Sequence, residues 1–273
     1  MLRARIVTGV IGALFAIGVL CLGGWWLTTV VILLALLAMW EYRRLLCHLK
    51  IHASFIVMSV VVLLLICGAQ IGKNTLFLAV FPALLPVLFG ISLFAKRTND
   101  FLSLFFTIAG ALYIGVGFAS LVLLRHIDVW IGQGLISDLG VFMIFFAVVG
   151  TWLSDVGAFF VGRRFGVHPL APTISPNKTW EGFGGSVFMT VAGLLIYAYC
   201  WGFPLSMALL LSLTVALAAP AGDLFESMLK RFVKEKDSGK ILPGHGGVLD
   251  RFDSLLFVAP VMVSVVFLLL GNL

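Results

Sequence analysis

The 273 residues are 62% hydrophobic and 11% charged, and their mean hydropathy is +1.16. Soluble domains are roughly 45–50% apolar and about 25% charged, so this composition excludes a soluble globular domain, and its 24 phenylalanines exclude a disordered chain. The formal net charge of +6 does not by itself indicate a nucleic-acid partner, because Lys and Arg in a membrane protein first set its orientation. We therefore expect an integral membrane protein.

Nine apolar stretches predict nine transmembrane helices, and hence an all-α, polytopic helical bundle. Each stretch approaches the roughly 17–25 residues that cross about 30 Å of hydrocarbon. In chain order they are residues 6–22, 25–46, 51–71, 75–95, 101–124, 138–161, 183–201, 205–222 and 254–271. Gly23 and Gly24 lead directly into the second stretch without a convincing cleavage site, so we interpret the first stretch as a retained helix rather than a signal peptide.

The distribution of basic residues predicts which side of the membrane each connection occupies. With nine spans and the N-terminus in the cytoplasm, 16 of the 18 Lys and Arg residues fall in inner segments, and only Lys73 and Arg125 fall outside. A missing or extra helix would move the later segments to the wrong side and destroy this division. The sequence therefore predicts a cytoplasmic N-terminus and an external C-terminus.

Two of the inner connections, 163–182 and 222–253, are long and rich in Gly, Pro, Lys and Asp. The first five spans, in contrast, carry almost no polar side chains. We therefore interpret residues 1–137 as scaffold and a wall for lipid access, and residues 138–273 as the catalytic region, with its chemistry in the two long loops.

Asp155 lies inside the sixth apolar stretch, where an ionised carboxylate costs at least about 2.5–3.5 kcal/mol. Two explanations remain open at this point: an ion pair with Arg163 or Arg164 at the helix end, or the polar floor of a cavity. In the loop that follows, Lys178 precedes a run of glycines. It is either a ligand for phosphate or a solvated side chain.

Residues 223–253 carry the strongest chemical signal. On a helix that continues past residue 222, one narrow face holds a carboxylate, a hydroxyl and two ammonium groups, which are Asp223, Ser227, Lys230 and Lys234. Carboxylates for Mg²⁺, cations for a polyphosphate and flexible glycines are what phosphoryl or nucleotidyl transfer demands. A basic anchor for anionic lipid headgroups would explain the lysines but not the four aspartates among them. Asp253 directly precedes the last apolar run, and we predict that it caps that helix.

This segment resembles the signature of the phosphatidate cytidylyltransferases, also called CDP-diacylglycerol synthases. The signature reads Ser-x-x-Lys-Arg, four residues, Lys-Asp-x-Gly, then Leu-Pro-x-His-Gly-Gly, two residues and Asp-Arg-Phe-Asp. The matching residues are Ser227, Lys230, Arg231, Lys236, Asp237, Gly239, Leu242, Pro243, His245, Gly246, Gly247, Asp250, Arg251, Phe252 and Asp253.

The resemblance implies that CTP and phosphatidate give CDP-diacylglycerol and pyrophosphate with the help of Mg²⁺. It implies that Asp223 and Asp250 are the metal-binding pair, and it allows a second cation. The expected catalytic residues are Asp223, Ser227, Lys230, Asp237, His245 and Asp250. The expected substrate-binding residues are Asp155, Lys178, Arg231, Lys236, Gly246, Gly247, Arg251 and Asp253.

The expected partners are CTP, phosphatidate and membrane lipid, with no nucleic acid and with a homodimer left open. The expected location is the bacterial inner membrane, with the active site facing the cytoplasm. Three alternatives remain: transfer to a related prenyl-lipid phosphate, a non-enzymatic protein that binds anionic lipid, and a transporter with Asp155 on its ion path. The last has no use for a dense Asp, Lys and Gly loop outside the hydrocarbon.

The charge division generates a topology prediction. A reporter fused after Leu273 should lie outside the cytoplasm, and one inserted between Lys234 and Lys240 should lie inside it. The accessibility of each reporter in intact cells measures the side of the membrane on which it lies. Finding both reporters on one side would contradict the nine-span arrangement.

Overall fold

A computed structural model of the chain describes residues 2–72, 86, 90, 101–131, 136–239 and 246–270. These residues form nine helices, which are α1 (Leu2–Leu22), α2 (Gly24–Cys47), α3 (Phe55–Ile71), α4 (Phe101–Arg125), α5 (Ile127–Ile131), α6 (Leu139–Phe165), α7 (Trp180–Cys200), α8 (Leu205–Phe232) and α9 (Leu249–Leu270). Within the described part of the chain, the strands β1 (Pro169–Ala171) and β2 (Ser175–Thr179) form one antiparallel hairpin.

The predicted fold class, an all-α polytopic membrane protein, is confirmed. Eight of the nine predicted apolar stretches lie on helices, while the stretch 75–95 falls almost entirely outside the described residues. Of the described helices, six are long and apolar enough to cross a membrane, namely α2, α4, α6, α7, α8 and α9. The number of nine spans therefore stays a prediction.

The loop 163–182 is shorter than predicted because regular structure occupies most of it. Helix α6 continues to Phe165, the hairpin follows, and α7 begins at Trp180. Thr179 fixes that start, because its hydroxyl accepts the N–H of Gly182 at 3.2 Å and caps the helix.

The two helices that flank the signature segment also differ from the sequence prediction. Helix α8 continues to Phe232, so Asp223, Ser227 and Lys230 share one helix as predicted. Lys234 lies beyond the helix end with a φ of +59°, so the prediction that it extends this face is wrong. Helix α9 begins at Leu249, which places Asp253 in its second turn, so the predicted N-cap role of Asp253 is also wrong.

The chain divides into two compact units. The first comprises Met1–His126 and Val233–Arg251, and in it α3 packs against α4 while α2 packs against both. The second comprises Ile127–Phe232 and Phe252–Leu273, and in it α6 and α7 form the most extensive contact while α8 packs against both. Most of the signature segment after α8 therefore groups with the N-terminal helices.

Small residues let α6 and α7 approach closely. A Cβ atom at Gly185 would lie 2.8 Å from the carbonyl oxygen of Gly157, so the two backbones meet at these glycines. One turn away, the buried hydroxyls of Ser154 and Ser186 are hydrogen-bonded at 2.7 Å. The contact between α6 and α7 therefore holds the two helices that the hairpin connects.

Gly184 and Gly185 offer a matched test of this packing. Gly185→Ala should destabilise the protein by about 1–3 kcal/mol, because the added methyl group meets the backbone of α6 and the side chain of Val161. Gly184→Ala should be neutral or slightly stabilising, because a Cβ atom there meets nothing within 4 Å. Thermal unfolding in mild detergent measures both, and equal melting temperatures would contradict the packing described.

Candidate active site

Three predicted site residues of the second unit contact one another, namely Lys178 on β2 and Asp223 and Ser227 on α8. The ammonium group of Lys178 lies 2.6 Å from Asp223 Oδ2, and the hydroxyl of Ser227 donates to Asp223 Oδ1 at 3.4 Å. Only 25% of the Lys178 side chain and 33% of the Asp223 side chain are exposed. Lys178 is therefore an ion-pair partner and not a solvated loop residue.

The hairpin positions Lys178 and is fixed at both ends. At its base, the carboxylate of Glu181 accepts the N–H groups of Val167 at 3.1 Å and His168 at 3.2 Å, and it lies 2.6 Å from His168 Nδ1. At its tip, the guanidinium of Arg231 donates to the carbonyl oxygen of Ile174 at 3.2 Å. Arg231 thus holds the turn that carries Lys178 toward α8, a structural contact that sequence analysis had not assigned to it.

A close crossing of α8 and α9 brings two acids together. A Cβ atom at Gly222 would lie 2.6 Å from the carbonyl oxygen of Asp253, and the rings of Phe225 and Phe257 lie 5.2 Å apart one turn farther along. Because Asp223 follows Gly222 directly, this crossing sets the carboxylates of Asp223 and Asp253 in one neighbourhood. The charge of Asp253 interacts with that of Asp223.

Asp155 and Lys230 complete this acidic cluster. The charge of Asp253 also interacts with the negative charge of Asp155 on α6 and the positive charge of Lys230 on α8. Asp155 therefore belongs to the same neighbourhood as Asp253, while the ion-pair and cavity explanations for this acid both stay predictions. We call Asp155, Asp223 and Asp253, with Lys178 and Lys230, the acidic cluster.

Lys230 has a buried partner that sequence analysis missed. Glu226, one helical turn earlier, is 1% exposed and forms an ion pair with Lys230, whose side chain is 13% exposed. The spacing of four residues on a helix is a signal that could have identified this pair. Glu226 therefore restricts where the ammonium group of Lys230 can lie.

In the first unit, the carboxylate of Asp250 organises the signature segment. Its Oδ2 accepts the N–H groups of Ser238 at 3.0 Å and Gly247 at 2.9 Å. Gly246 has a φ of +86°, in the left-handed region that favours glycine. Lys236, Asp237 and Arg251 are exposed on this unit, and His245 lies outside the described residues.

Sequence analysis also missed Glu41, a fully buried residue of α2. Its carboxylate accepts the N–H groups of Val248 and Leu249, both at 2.9 Å, and the hydroxyl of Ser238 at 3.2 Å. An acid inside an apolar helix is the same signal that singled out Asp155. Beside Arg43 and Arg44, however, Glu41 resembled an ordinary charged helix end.

The acidic cluster offers carboxylate oxygens, which are the type of donor atom that a hard cation binds. Among the residues that the structure describes, no group of three or more His, Cys, Asp and Glu side chains forms a metal cage. Mg²⁺ rarely needs one, because it commonly binds one or two carboxylates together with waters and substrate phosphates. Of the predicted metal pair, Asp223 belongs to the second unit and Asp250 to the first.

Comparison with known proteins agrees with the sequence signature. The model of the cytidylyltransferase family matches residues 3–269. A phosphatidate cytidylyltransferase of Staphylococcus haemolyticus is 33% identical over 265 residues, which cover 96% of this chain and 97% of the relative. The phosphatidate cytidylyltransferase of Bacillus subtilis is 33% identical over 267 residues, which cover 95% of each chain. The phosphatidate cytidylyltransferase of Staphylococcus aureus is 32% identical over 265 residues, which cover 96% of this chain and 97% of the relative.

The pairing of Lys178 with Asp223 generates a prediction on stability. In a double-mutant cycle of Lys178→Met and Asp223→Asn, the two changes should be coupled by about 1 kcal/mol, because each removes the partner of a half-buried charge. The coupling should fall in 1 M salt. Unfolding midpoints in mild detergent measure it.

The control pair is His48 and Glu235, whose side chains lie 3.2 Å apart and are both 45% exposed. A cycle of His48→Ala and Glu235→Gln should show weaker coupling because solvent screens this pair. Additive effects of Lys178→Met and Asp223→Asn would contradict the ion pair.

Proposed function

The chain belongs to the cytidylyltransferase family and makes CDP-diacylglycerol from CTP and phosphatidate, and we propose that it does so at the acidic cluster. The observation that carries this proposal is the half-buried pair of Lys178 and Asp223 beside Asp253 and Lys230. The complete signature from Ser227 to Asp253 and the family match along almost the whole chain support it.

The reaction needs charge stabilisation more than covalent chemistry. A phosphate oxygen of phosphatidate forms a bond to the α-phosphorus of CTP, and the bond from that phosphorus to the oxygen that bridges to the β-phosphorus breaks. Pyrophosphate leaves with the electron pair of the broken bond, and no enzyme-bound intermediate is required. Catalysis therefore depends on aligning two anionic substrates and on neutralising the charge that develops.

The side chains of the acidic cluster can supply both effects. The ammonium groups of Lys178 and Lys230 neutralise phosphate oxygens, and the hydroxyl of Ser227 orients one of them. Asp223 would hold Mg²⁺, with Asp155 and Asp253 in the same cluster, and the family resemblance assigns Asp250 as a further metal ligand and allows a second cation. When bound, Mg²⁺ neutralises charge on the nucleotide phosphates.

Pairing with Asp223 keeps Lys178 in place before the substrates arrive. An isolated ammonium group or carboxylate at the edge of a membrane would be costly, and each group stabilises the other. When substrates bind, Lys178 would leave Asp223 for a phosphate oxygen, and the carboxylate of Asp223 would then be available to hold a cation. The site thus exchanges one set of ion pairs for another without exposing an unpaired charge.

The family resemblance assigns further roles to the signature segment. Lys236, Arg231 and Arg251 would contribute positive charge to nucleotide binding, and His245, Gly246 and Gly247 would contact the departing pyrophosphate. Asp237 supports the metal ions. The division of basic residues supports a cytoplasmic location for this side of the protein, where CTP is present and the inner leaflet offers phosphatidate.

The first test of the proposal is turnover by the purified chain. With CTP, Mg²⁺ and phosphatidate it should release pyrophosphate, and removal of divalent cations by EDTA should abolish this release. Asp223→Asn should lower turnover by roughly 100-fold or more, since residues that merely support a metal ligand already account for ~10–100-fold. A coupled pyrophosphate assay measures both effects.

Asp128→Asn is the matched control. Asp128 on α5 accepts the N–H of Gly140 at 2.9 Å, and an asparagine oxygen can replace that acceptor. This variant should retain near-normal turnover. Full turnover by Asp223→Asn, or pyrophosphate release that needs no divalent cation, would contradict the proposed site.

A further inference from the structure

The carboxylate of Glu41 occupies an unusual position for a charged group. It lies on α2, a helix long and apolar enough to span a membrane, and it is 0% exposed. Burying an ionised carboxylate is costly unless several donors compensate it. All three of its described donors, the N–H groups of Val248 and Leu249 and the hydroxyl of Ser238, come from the signature segment.

Two signature glycines make room for this carboxylate. A Cβ atom at Gly247 would lie 2.6 Å from each carboxylate oxygen of Glu41, and one at Gly239 would lie 2.9 Å from its Cδ. Either contact is closer than packed atoms allow. Glu41 therefore leaves no space for a side chain at either position, and at Gly247 the hydroxyl of Ser238 also occupies that space.

Glu41 and Asp250 hold the same backbone from two sides. Asp250 accepts the N–H groups of Ser238 and Gly247, and Glu41 accepts the hydroxyl of Ser238 and the next two N–H groups, those of Val248 and Leu249. The two carboxylates thus accept the N–H groups of Gly247, Val248 and Leu249, and both the N–H and the hydroxyl of Ser238. We call this arrangement of Glu41, Ser238, Gly247, Val248 and Leu249 around Asp250 the carboxylate clip.

We propose that Glu41 is a positioning residue for the cytidylyltransferase reaction, acting through the carboxylate clip on Asp250. Glu41 holds the hydroxyl of Ser238 and the N–H groups of Val248 and Leu249. It therefore restricts the backbone amides of Ser238 and Gly247, which orient the Asp250 carboxylate. The inference rests on the proposed function for its kinetic consequence, while the clip itself is a structural statement. It gives α2 a part in the chemistry, in addition to its part in the scaffold.

Glu41→Gln tests the clip directly. The amide keeps the shape, but its NH₂ group must face one of the N–H groups that the carboxylate accepts, so a buried donor loses its partner. In folded protein, hydrogen–deuterium exchange of the amides of Val248 and Leu249 should accelerate by roughly 10- to 100-fold relative to wild type, because a hydrogen bond that protects them is lost. This readout requires no turnover.

Glu235→Gln is the matched control, because it removes the same charge from an exposed pair in the same unit. It should leave the exchange at Val248 and Leu249, as well as the kinetics, near wild type. Unchanged exchange in Glu41→Gln, or equal acceleration in both variants, would overturn the clip.

Kinetics separate a positioning role from a purely structural one. Per folded molecule, Glu41→Gln should lower kcat/KM for CTP by roughly 10- to 100-fold, the usual loss when a supporting partner of a ligand is removed, and should raise the Mg²⁺ concentration needed for half-maximal rate. If Glu41 only stabilised the fold, fewer molecules would be folded, but each would show normal kcat, KM and Mg²⁺ dependence. That outcome would overturn the positioning role.

Ser238→Ala keeps the proposal testable if Glu41→Gln does not fold. It removes one of the three bonds to Glu41 and leaves the two backbone bonds, so we expect a loss of roughly 2- to 10-fold in kcat/KM for CTP with little change in melting temperature. Unchanged kinetics in this variant would overturn the positioning role. An inactive wild-type protein would instead refute the proposed function, and the exchange experiment would still decide whether the clip exists.

Discussion

The organisation of this protein follows from the cost of placing charge in an apolar helical bundle. Only 11% of its residues are charged, and the acids among them that lie within apolar helices need a partner or a bound ion. Glu226 pairs with Lys230, Asp223 pairs with Lys178, and Glu41 takes three donors from the signature segment. These pairings determine where the loops and the hairpin can lie.

The same cost explains why the acidic cluster suits its chemistry. Asp155, Asp223 and Asp253 come from three helices, and their like charges oppose one another, so the arrangement persists only with nearby positive charge. Lys178 and Lys230 supply that charge in the free protein. Bound cations and phosphates could take over the same roles, as the proposed function requires. Sites that accumulate like charges in this way are typical of function rather than of stability.

Sequence reasoning was strongest where a local pattern determines structure. The face shared by Asp223, Ser227 and Lys230 followed from helical periodicity alone, and the signature identified the family without a structure. The start of α9 was misplaced because its first N–H groups are capped by Glu41, about 200 residues away in sequence, whereas the apolar pattern begins only at Leu255. The hairpin was missed for a related reason, since Glu181 and Arg231 hold it through contacts outside its own sequence.

The central claim is that Asp223 holds a divalent cation at the nucleotide phosphates. A crystal of the purified chain grown with CTP and Mn²⁺, which can replace Mg²⁺ at oxygen ligands, tests it through the anomalous scattering of Mn²⁺. The account predicts an anomalous peak within coordinating distance of the Asp223 carboxylate, with the ammonium group of Lys178 turned to a phosphate oxygen. Bound CTP with Lys178 still paired to Asp223 and no Mn²⁺ at that carboxylate would contradict it.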